Sequence, residues 1–477
     1  MKKSVVIGFF VLLFFFYSCF VHHNGADSLY SLQQAPRLQP GKDSLFILPG
    51  IFPDNGNADS GYYYLLYGDA ISSAMPYSLH KIVFALRNTN LAKLSGFNKY
   101  ALNDFTINKN ESGRLVSGPG CLHCHAQQFN NELVIGLGNS FSQFEVNVSP
   151  YLVLLQKATN VLYRKNSPER NDSEKILKAG RLLAPQIITE MQGPTPAHRI
   201  AELMSSHRDP QTLNFRADTS YFFIPPVIIP VDVPAWWTTK KKNAFTTTAM
   251  EQGNLLKHLM APAILTFTDT AEARKIYSNI KHVWAYILTL KPKRYPYPLD
   301  SSLIQKGNQL FEKNCSSCHG RSGEKEFYPG KIVDGHVVGT DSLLWKYYVL
   351  FPEYAAWFNR SWFAATEPAA FIKPQAGYMA PPLDGIWLTA PYFHNGSVPT
   401  LEAVLNSSLR PRYWKRNFNE PRYDYKKTGW RYKELNSPGN KQVYNTDIPG
   451  YGNYGHYFSD GLTHEERNAL LEYLKTL

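Results

Sequence analysis

Cys315-Ser316-Ser317-Cys318-His319 is the stretch on which the reading of this chain turns, and Cys121-Leu122-His123-Cys124-His125 carries the same pattern earlier in the sequence. Each places two thiols three residues apart and an imidazole directly after the second. Thiols at that spacing reach the two vinyl groups of one porphyrin and form thioethers, and the adjacent histidine is then held beneath the iron. Two covalently bound c-type haems are therefore expected. The first would be held by Cys121 and Cys124 with His125 as axial ligand, the second by Cys315 and Cys318 with His319. A redox C-x-x-C pair would be followed by His only by chance. A zinc site needs its ligands to converge on one metal, whereas these two pairs are far apart in the chain. His123 lies inside the first motif and is not expected to be a ligand.

Outward from the second motif, Asp300 to Phe311 reads as a capped amphipathic helix. Asp300 or Ser301 is its N-cap, and Leu303, Ile304, Leu310 and Phe311 lie near one face. At the other end of the segment, Thr463 and Glu466 make a capping box on a final helix with Leu470, Leu471, Tyr473 and Leu474. Helices at the start and end of a haem segment resemble the crossing terminal helices of cytochrome c folds. Further helical periodicity appears near 149–165, 172–191 and 270–290. Lys291 to Pro298, with three prolines, cannot continue the last of these and marks the best domain boundary. The stretch 409–450, rich in Tyr, Arg and Lys, reads as an irregular insertion. The fold class expected is mainly α, with two cytochrome c-like haem domains, long irregular loops and little β-sheet. The domains would be a signal-like segment at 1–19, an N-terminal extension at 20–95, a first haem domain at 96–292 and a second at 293–477.

Met1-Lys2-Lys3 followed by the apolar run Ser4–Phe16 and Tyr17-Ser18-Cys19 reads as an export signal. A small residue before a cysteine resembles a lipobox, so Cys19 is the expected lipidation site and the chain an exported, periplasmic or cell-envelope lipoprotein anchored to a membrane. With Cys19 so used, the five cysteines leave none for a disulfide. Hydrophobic residues make up 44% of the 477-residue chain, enough for sizeable cores. The formal charge of +12 favours an acidic redox partner or an anionic surface. No basic stripe accompanies a nucleic-acid motif, and nucleic acid is not an expected partner. The run Lys240-Lys241-Lys242 reads as a solvated face.

Gly385-Ile386-Trp387-Leu388-Thr389-Ala390-Pro391-Tyr392-Phe393-His394-Asn395-Gly396 resembles the T-A-P-Y-x-H-x-G block of the di-haem cytochrome c peroxidase superfamily. Arg410-Pro411 and Gly455-His456-Tyr457 are similar to features of its rubber-oxygenase-like branch. The resemblance is strongest over 375–477 and at both C-x-x-C-H motifs, and weak before about 115. It implies that His456 is the distal ligand of the second haem, with Met379 as the alternative and neither as a third case. No methionine follows Met379, so the later methionine ligand of many superfamily peroxidases has no counterpart. His394 is implied to be structural or on the propionate side. No histidine stands between His125 and His198, which leaves the first iron open unless His198, His207 or His258 reaches it. Glu190-Met191 is similar to the peroxidases' acid–base stretch without its Asn-Pro, making Glu190 the candidate proton donor. Asp232-Val233-Pro234-Ala235-Trp236-Trp237 resembles a block between the two haems, where Trp236 and Trp237 would relay an electron or simply pack. The implied activity is peroxidase-type reduction of hydrogen peroxide at the first haem, with electrons arriving through the second from a small cytochrome or other donor. A haem dioxygenase using O₂ on an apolar substrate, and a non-catalytic electron carrier, are the alternatives.

Overall fold

The chain enters the first C-x-x-C-H motif from a hairpin rather than from a helix. In the computed structural model, which describes residues 50–51, 56–70, 73–83, 105–110, 112–323 and 326–477, Phe105–Lys109 pairs antiparallel with Leu115–Pro119, setting Ile107 opposite Ser117. The short strand Met75–Pro76 adds to the other side of the second strand. A single helical turn, Leu122–His125, follows. The chain then makes a second hairpin, Ala126–Phe129 with Glu132–Ile135. Its two turn residues, Asn130 and Asn131, both have positive φ (50° and 61°). That is the geometry of a type I′ turn, whose twist matches that of the strands it joins and which Asn tolerates well. The expected signal segment, Cys19 and the extension up to residue 49 lie outside the described residues.

The second motif has the helical setting anticipated for it. The helix Ser301–Asn314 starts at Asp300, whose carboxylate accepts the Ser302 and Leu303 N–H groups at 2.8 and 3.2 Å; such a cap contributes about 1 kcal/mol. The last helix, His464–Leu474, opens on a capping box between Thr463 and Glu466. The two helices cross at Gly307, where an added Cβ would stand 2.0 Å from the Ala469 carbonyl oxygen. Only a residue without a side chain allows that approach. Phe311, Leu470, Tyr473 and Leu474 close the core around the crossing.

The expectation of a mainly α fold in two cytochrome c-like haem domains is not met. Among the described residues, fourteen strands in six small sheets are interleaved with the helices, and these residues hold together as one compact unit. The architecture is mixed α and β. The stretch 409–450 is responsible for much of the difference. Tyr413–Arg416 pairs with Tyr432–Leu435 on one side and Tyr444–Asn445 on the other. Its Trp414 stacks on Tyr444 at 5.1 Å and meets the buried Met191. Alternation of aromatic and charged residues, rather than apolar ones, concealed these strands.

The helical periodicities correspond to Ser149–Leu162, Pro168–Leu183 and Thr270–Thr289. The second ends earlier than its pattern because Pro185 enters a 3-10 turn at Ala184–Gln186. The tyrosine-rich part of the extension forms the helix Ala58–Tyr67. It lies along Thr270–Thr289, with Tyr62 against Tyr286 at 5.1 Å and the Asn57 N–H donating to His282 Nδ1 at 2.9 Å.

Candidate haem sites

At the second motif, the helix delivers Cys315 and the next turn places His319. The His319 Nδ1 lies 2.8 Å from the Pro381 carbonyl oxygen. A carbonyl can only accept, so Nδ1 carries the proton and the lone pair is left on Nε2, the atom free to bind metal. The ring centre of His456 is 6.2 Å from that of His319. Two imidazoles that share one metal at bonds of about 2 Å have ring centres roughly 6 Å apart. Burial, His319 and the Arg410 charge push His456 down to about 4. Burial lowers His319 as well. Both are therefore neutral, as a ligand must be.

His456 adopts a left-handed backbone conformation (φ 51°), which costs a non-glycine residue energy and needs support. Gly455 before it (φ 85°) passes so close to Gly339 that a Cβ would stand 2.3 Å from the Gly339 carbonyl carbon. The His456 N–H donates to Val338 O at 2.7 Å. Arg410 completes the clamp. Its guanidinium donates to Ala403 O, Val404 O, Asn453 O and Gly455 O at 2.7–3.1 Å and lies over the Phe393 ring at 5.0 Å. Sequence reasoning had noted Arg410 only as a marker of resemblance. Its pairing with a loop more than forty residues away has no local signal.

Met379, the alternative ligand, stands in the strand Gly377–Met379 opposite Ile332 and is buried with Ala244, Ala249 and Ile332. His394 stacks on Tyr378 at 4.4 Å and shares a 3.1 Å hydrogen bond with its hydroxyl; Tyr378 in turn donates to Asp341 O.

At the first motif, the Cys124 carbonyl accepts the Asn139 N–H (2.8 Å), and the His125 carbonyl accepts that of Gly136 (2.8 Å). Asn139 also donates its side-chain amide to His123 O at 2.9 Å. Desolvation pushes His125 down to about 3, and its Nδ1 is buried without a hydrogen-bond partner. The face of the ring is covered by Trp236, stacked at 4.4 Å and 19°. The other candidate histidines are engaged elsewhere. His198 meets Tyr348, His207 Nδ1 lies 3.2 Å from Arg216 O, and His258 pairs with Gln252 O while stacking on Phe358.

Trp236 and Trp237 open a 3-10 helix. Trp237 is buried in the core that contains Phe311 and borders Cys315, and its indole donates to Asp384 O at 2.8 Å. The lysine run that follows is a solvated face at Lys240 alone. Lys241 pairs with Asp384 at 2.7 Å and Glu326 at 2.5 Å. Lys242 is buried, and desolvation brings it down to about 8. Glu190 is exposed in a bend, and its N–H donates to the Tyr451 hydroxyl at 3.0 Å. Its neighbours Thr189 and Gly193 hydrogen-bond Phe144 O and Ser142 O, in the loop after the first motif. Among the described residues no hydrogen bond or ion pair brings its carboxylate to His125.

The donor sets at both motifs, two cysteines three apart followed by a histidine, fit a covalently attached porphyrin. Among the described residues, a second imidazole faces His319 and not His125.

Residues 377–415 match the family described as RoxA-like, cytochrome c-like. That segment supplies Pro381, which orients His319, and Phe393 and Arg410, which hold His456. A cytochrome c-like segment beside C-x-x-C-H is the setting of a covalently bound c-type haem. Two curated relatives come from Sinorhizobium fredii (strain NBRC 101917 / NGR234). The uncharacterized protein y4iJ is 43% identical over 117 residues, 22% of this chain and 19% of that protein. The uncharacterized protein y4iM is 27% identical over 244 residues, 45% of this chain and 52% of that protein. The chain thus spans about a fifth of the first and about half of the second.

Proposed function

We propose that this chain is an exported di-haem c-type oxidoreductase of the peroxidase kind, reducing hydrogen peroxide at the first haem with electrons passed through the second. The observation that carries the proposal is the asymmetry of the two motifs. His319 faces a second imidazole at 6.2 Å, whereas the ring contact of His125 is the Trp236 indole. A metal with an imidazole on each side has no position for substrate, which suits storage and transfer of electrons. A metal held from one side keeps a position open, which suits chemistry on a small oxidant. Haem, when bound, supplies the iron at which an O–O bond can be cleaved and the reversible one-electron chemistry.

The protein's part is positional. His125 would hold the first haem, with Trp236 stacked on its ring. His319, set by Pro381, and His456, set by Arg410, close the second. Trp236 and Trp237 form the aromatic path between them. Glu190 is the proposed proton donor to the departing oxygen, from a segment tied to the loop after the first motif. Small cytochromes or other electron carriers would serve as donor, and a lipid on Cys19 as the membrane tether. An oxygenase acting on an apolar substrate is the second reading, favoured by the RoxA-like match and the rubber-oxygenase-like features.

The test is electron paramagnetic resonance of the oxidised, haem-loaded protein, followed by peroxide addition after one-electron reduction. One high-spin and one low-spin ferric signal with stoichiometric peroxide consumption is the expected result. Two low-spin signals and no reaction would make the chain an electron carrier. A high-spin signal without peroxide turnover, but with O₂ uptake on adding an apolar substrate, would favour the oxygenase.

A further inference from the structure

The helix Ser149–Leu162 presents its apolar stripe to solvent. Tyr151, Leu154, Leu155, Ala158, Val161 and Leu162 fall at the three- and four-residue spacings that put side chains on one face. In a surface helix of a globular protein that face is turned inward. Here the buried residue of the helix is Thr159, and Leu152 packs against Gly180 of the next helix. The edge of the stripe stays outside: Tyr151 is 54% exposed, Leu162 53% and Val161 85%, with Leu154 also exposed, while Leu155 and Ala158 between them are half-buried. Val146 and Val148, exposed just before the helix, lengthen it. Several exposed apolar side chains grouped on one helix face mark a contact site rather than chance exposure.

The charges around it select the partner. Residues 146–168 contain no Asp or Glu, while Lys157, Arg164 and Lys165 are exposed along the helix and at its end. An apolar face with cations and no acid suits an anionic lipid surface, in which the hydrocarbon region takes the stripe and the headgroups take the cations. At fourteen residues the helix is too short to cross a bilayer, and among the described residues no helix is long and apolar enough to do so. A helix of this length and pattern lies in the interface.

We propose that the face formed by Tyr151, Leu154, Val161 and Leu162, with Lys157, Arg164 and Lys165, seats this protein on an anionic membrane surface. The proposal is independent of the redox reading and of acylation at Cys19, which by itself would tether the chain without orienting it. Hydrogen–deuterium exchange on the full-length, haem-loaded protein tests it, with and without vesicles of phosphatidylethanolamine and phosphatidylglycerol. Exchange across 149–165 is expected to slow about tenfold or more on these vesicles, and much less on phosphatidylcholine alone. A Val161→Asp/Leu162→Asp variant should lose that protection while keeping the haem spectrum and the exchange of the remaining segments. Unchanged exchange at 149–165 in protein that sediments with the vesicles would overturn the proposal. So would protection that rises with protein concentration in the absence of lipid, since a second copy would then be the occupant.

Discussion

The His319 and His456 rings lie 6.2 Å apart, centre to centre, with their planes inclined at 63°. One ring is oriented by a carbonyl from the matched cytochrome c-like segment, the other by a strained loop near the C-terminus. His456→Ala should therefore leave the thioether bonds and His319 in place while opening one face of the second haem. The expected result is conversion of a low-spin ferric signal to high spin, with the signal of the first haem unchanged. An unaltered low-spin signal in a folded variant would remove His456 from the ligand set.

Arg410 reaches the same atoms indirectly. It satisfies carbonyls on both sides of the loop, and its loss leaves buried acceptors unpaired at about 1–3 kcal/mol. Arg410→Gln is expected to lower the urea midpoint accordingly and to give a mixture of high- and low-spin signal at the second haem. Arg410→Lys, with fewer donors, should fall between. A structural role alone would lower the midpoint and leave the spin state untouched.

Much of the second site was legible because its determinants are local. The C-x-x-C-H motif, the Asp300 cap and the Thr463–Glu466 box each lie within a few residues. His456 was reached only through resemblance, because what holds it there is the approach of Gly455 to Gly339 and the reach of Arg410 across the loop. The hairpins around the first motif, with a one-turn helix between them, give no helical period, and within 409–450 the strand Tyr432–Leu435 has the exposed Lys433 and Glu434 at its centre, so neither shows the alternation of a half-buried strand. The period at 149–162 did identify a helix, but a period says only that one face differs from the other. The side that is covered is decided by the partner.

The crossing of the first and last helices of the second segment rests on Gly307. A methyl group there meets the Ala469 carbonyl at 2.0 Å, so the helices must part and the core of Phe311, Leu470 and Tyr473 loosens. Gly307→Ala is expected to cost about 1–3 kcal/mol, measured as a lowered thermal midpoint of the haem-loaded protein. Gly461→Ala, where an added Cβ meets nothing within 4 Å, is the control and should change little.

Stability should depend on pH through two carboxyls, the buried Glu202 and the half-buried Glu251. Desolvation raises Glu202 to about 7, against the Tyr347 hydrogen bond and the Arg199 charge that lower it, and raises Glu251 to about 7. In the unfolded chain both ionise near 4.3. Between about pH 4.3 and 7 the native state thus keeps protons that the unfolded state has released, and the contribution of each group falls as pH rises through that window, then levels off. Glu202→Gln, which cannot ionise, should show a shallower decline by about 1–3 kcal/mol over the window. Parallel curves for the variant and the wild type from urea titrations at pH 5 and pH 7.5 would show that Glu202 is ionised in the fold.

The indole pair supplies the sharpest test of how the two sites communicate. Trp236 lies flat on His125, while its neighbour Trp237 reaches into the core that borders Cys315. Replacing Trp237 would leave a cavity costing about 3–5 kcal/mol and confuse relay with collapse, so Trp236 is the residue to change. Trp236→Phe keeps an aromatic face against the imidazole, whereas Trp236→Leu keeps bulk and loses the π-system. If the pair is an electron path, an electron placed on the second haem should reach the first at least tenfold more slowly in the Leu variant, with the Phe variant intermediate. Both should retain the absorption spectra of the two haems. Stopped-flow reduction followed by peroxide addition reads that rate directly. Equal rates in all three proteins would leave Trp236 as a packing residue that sets the angle of the His125 ring.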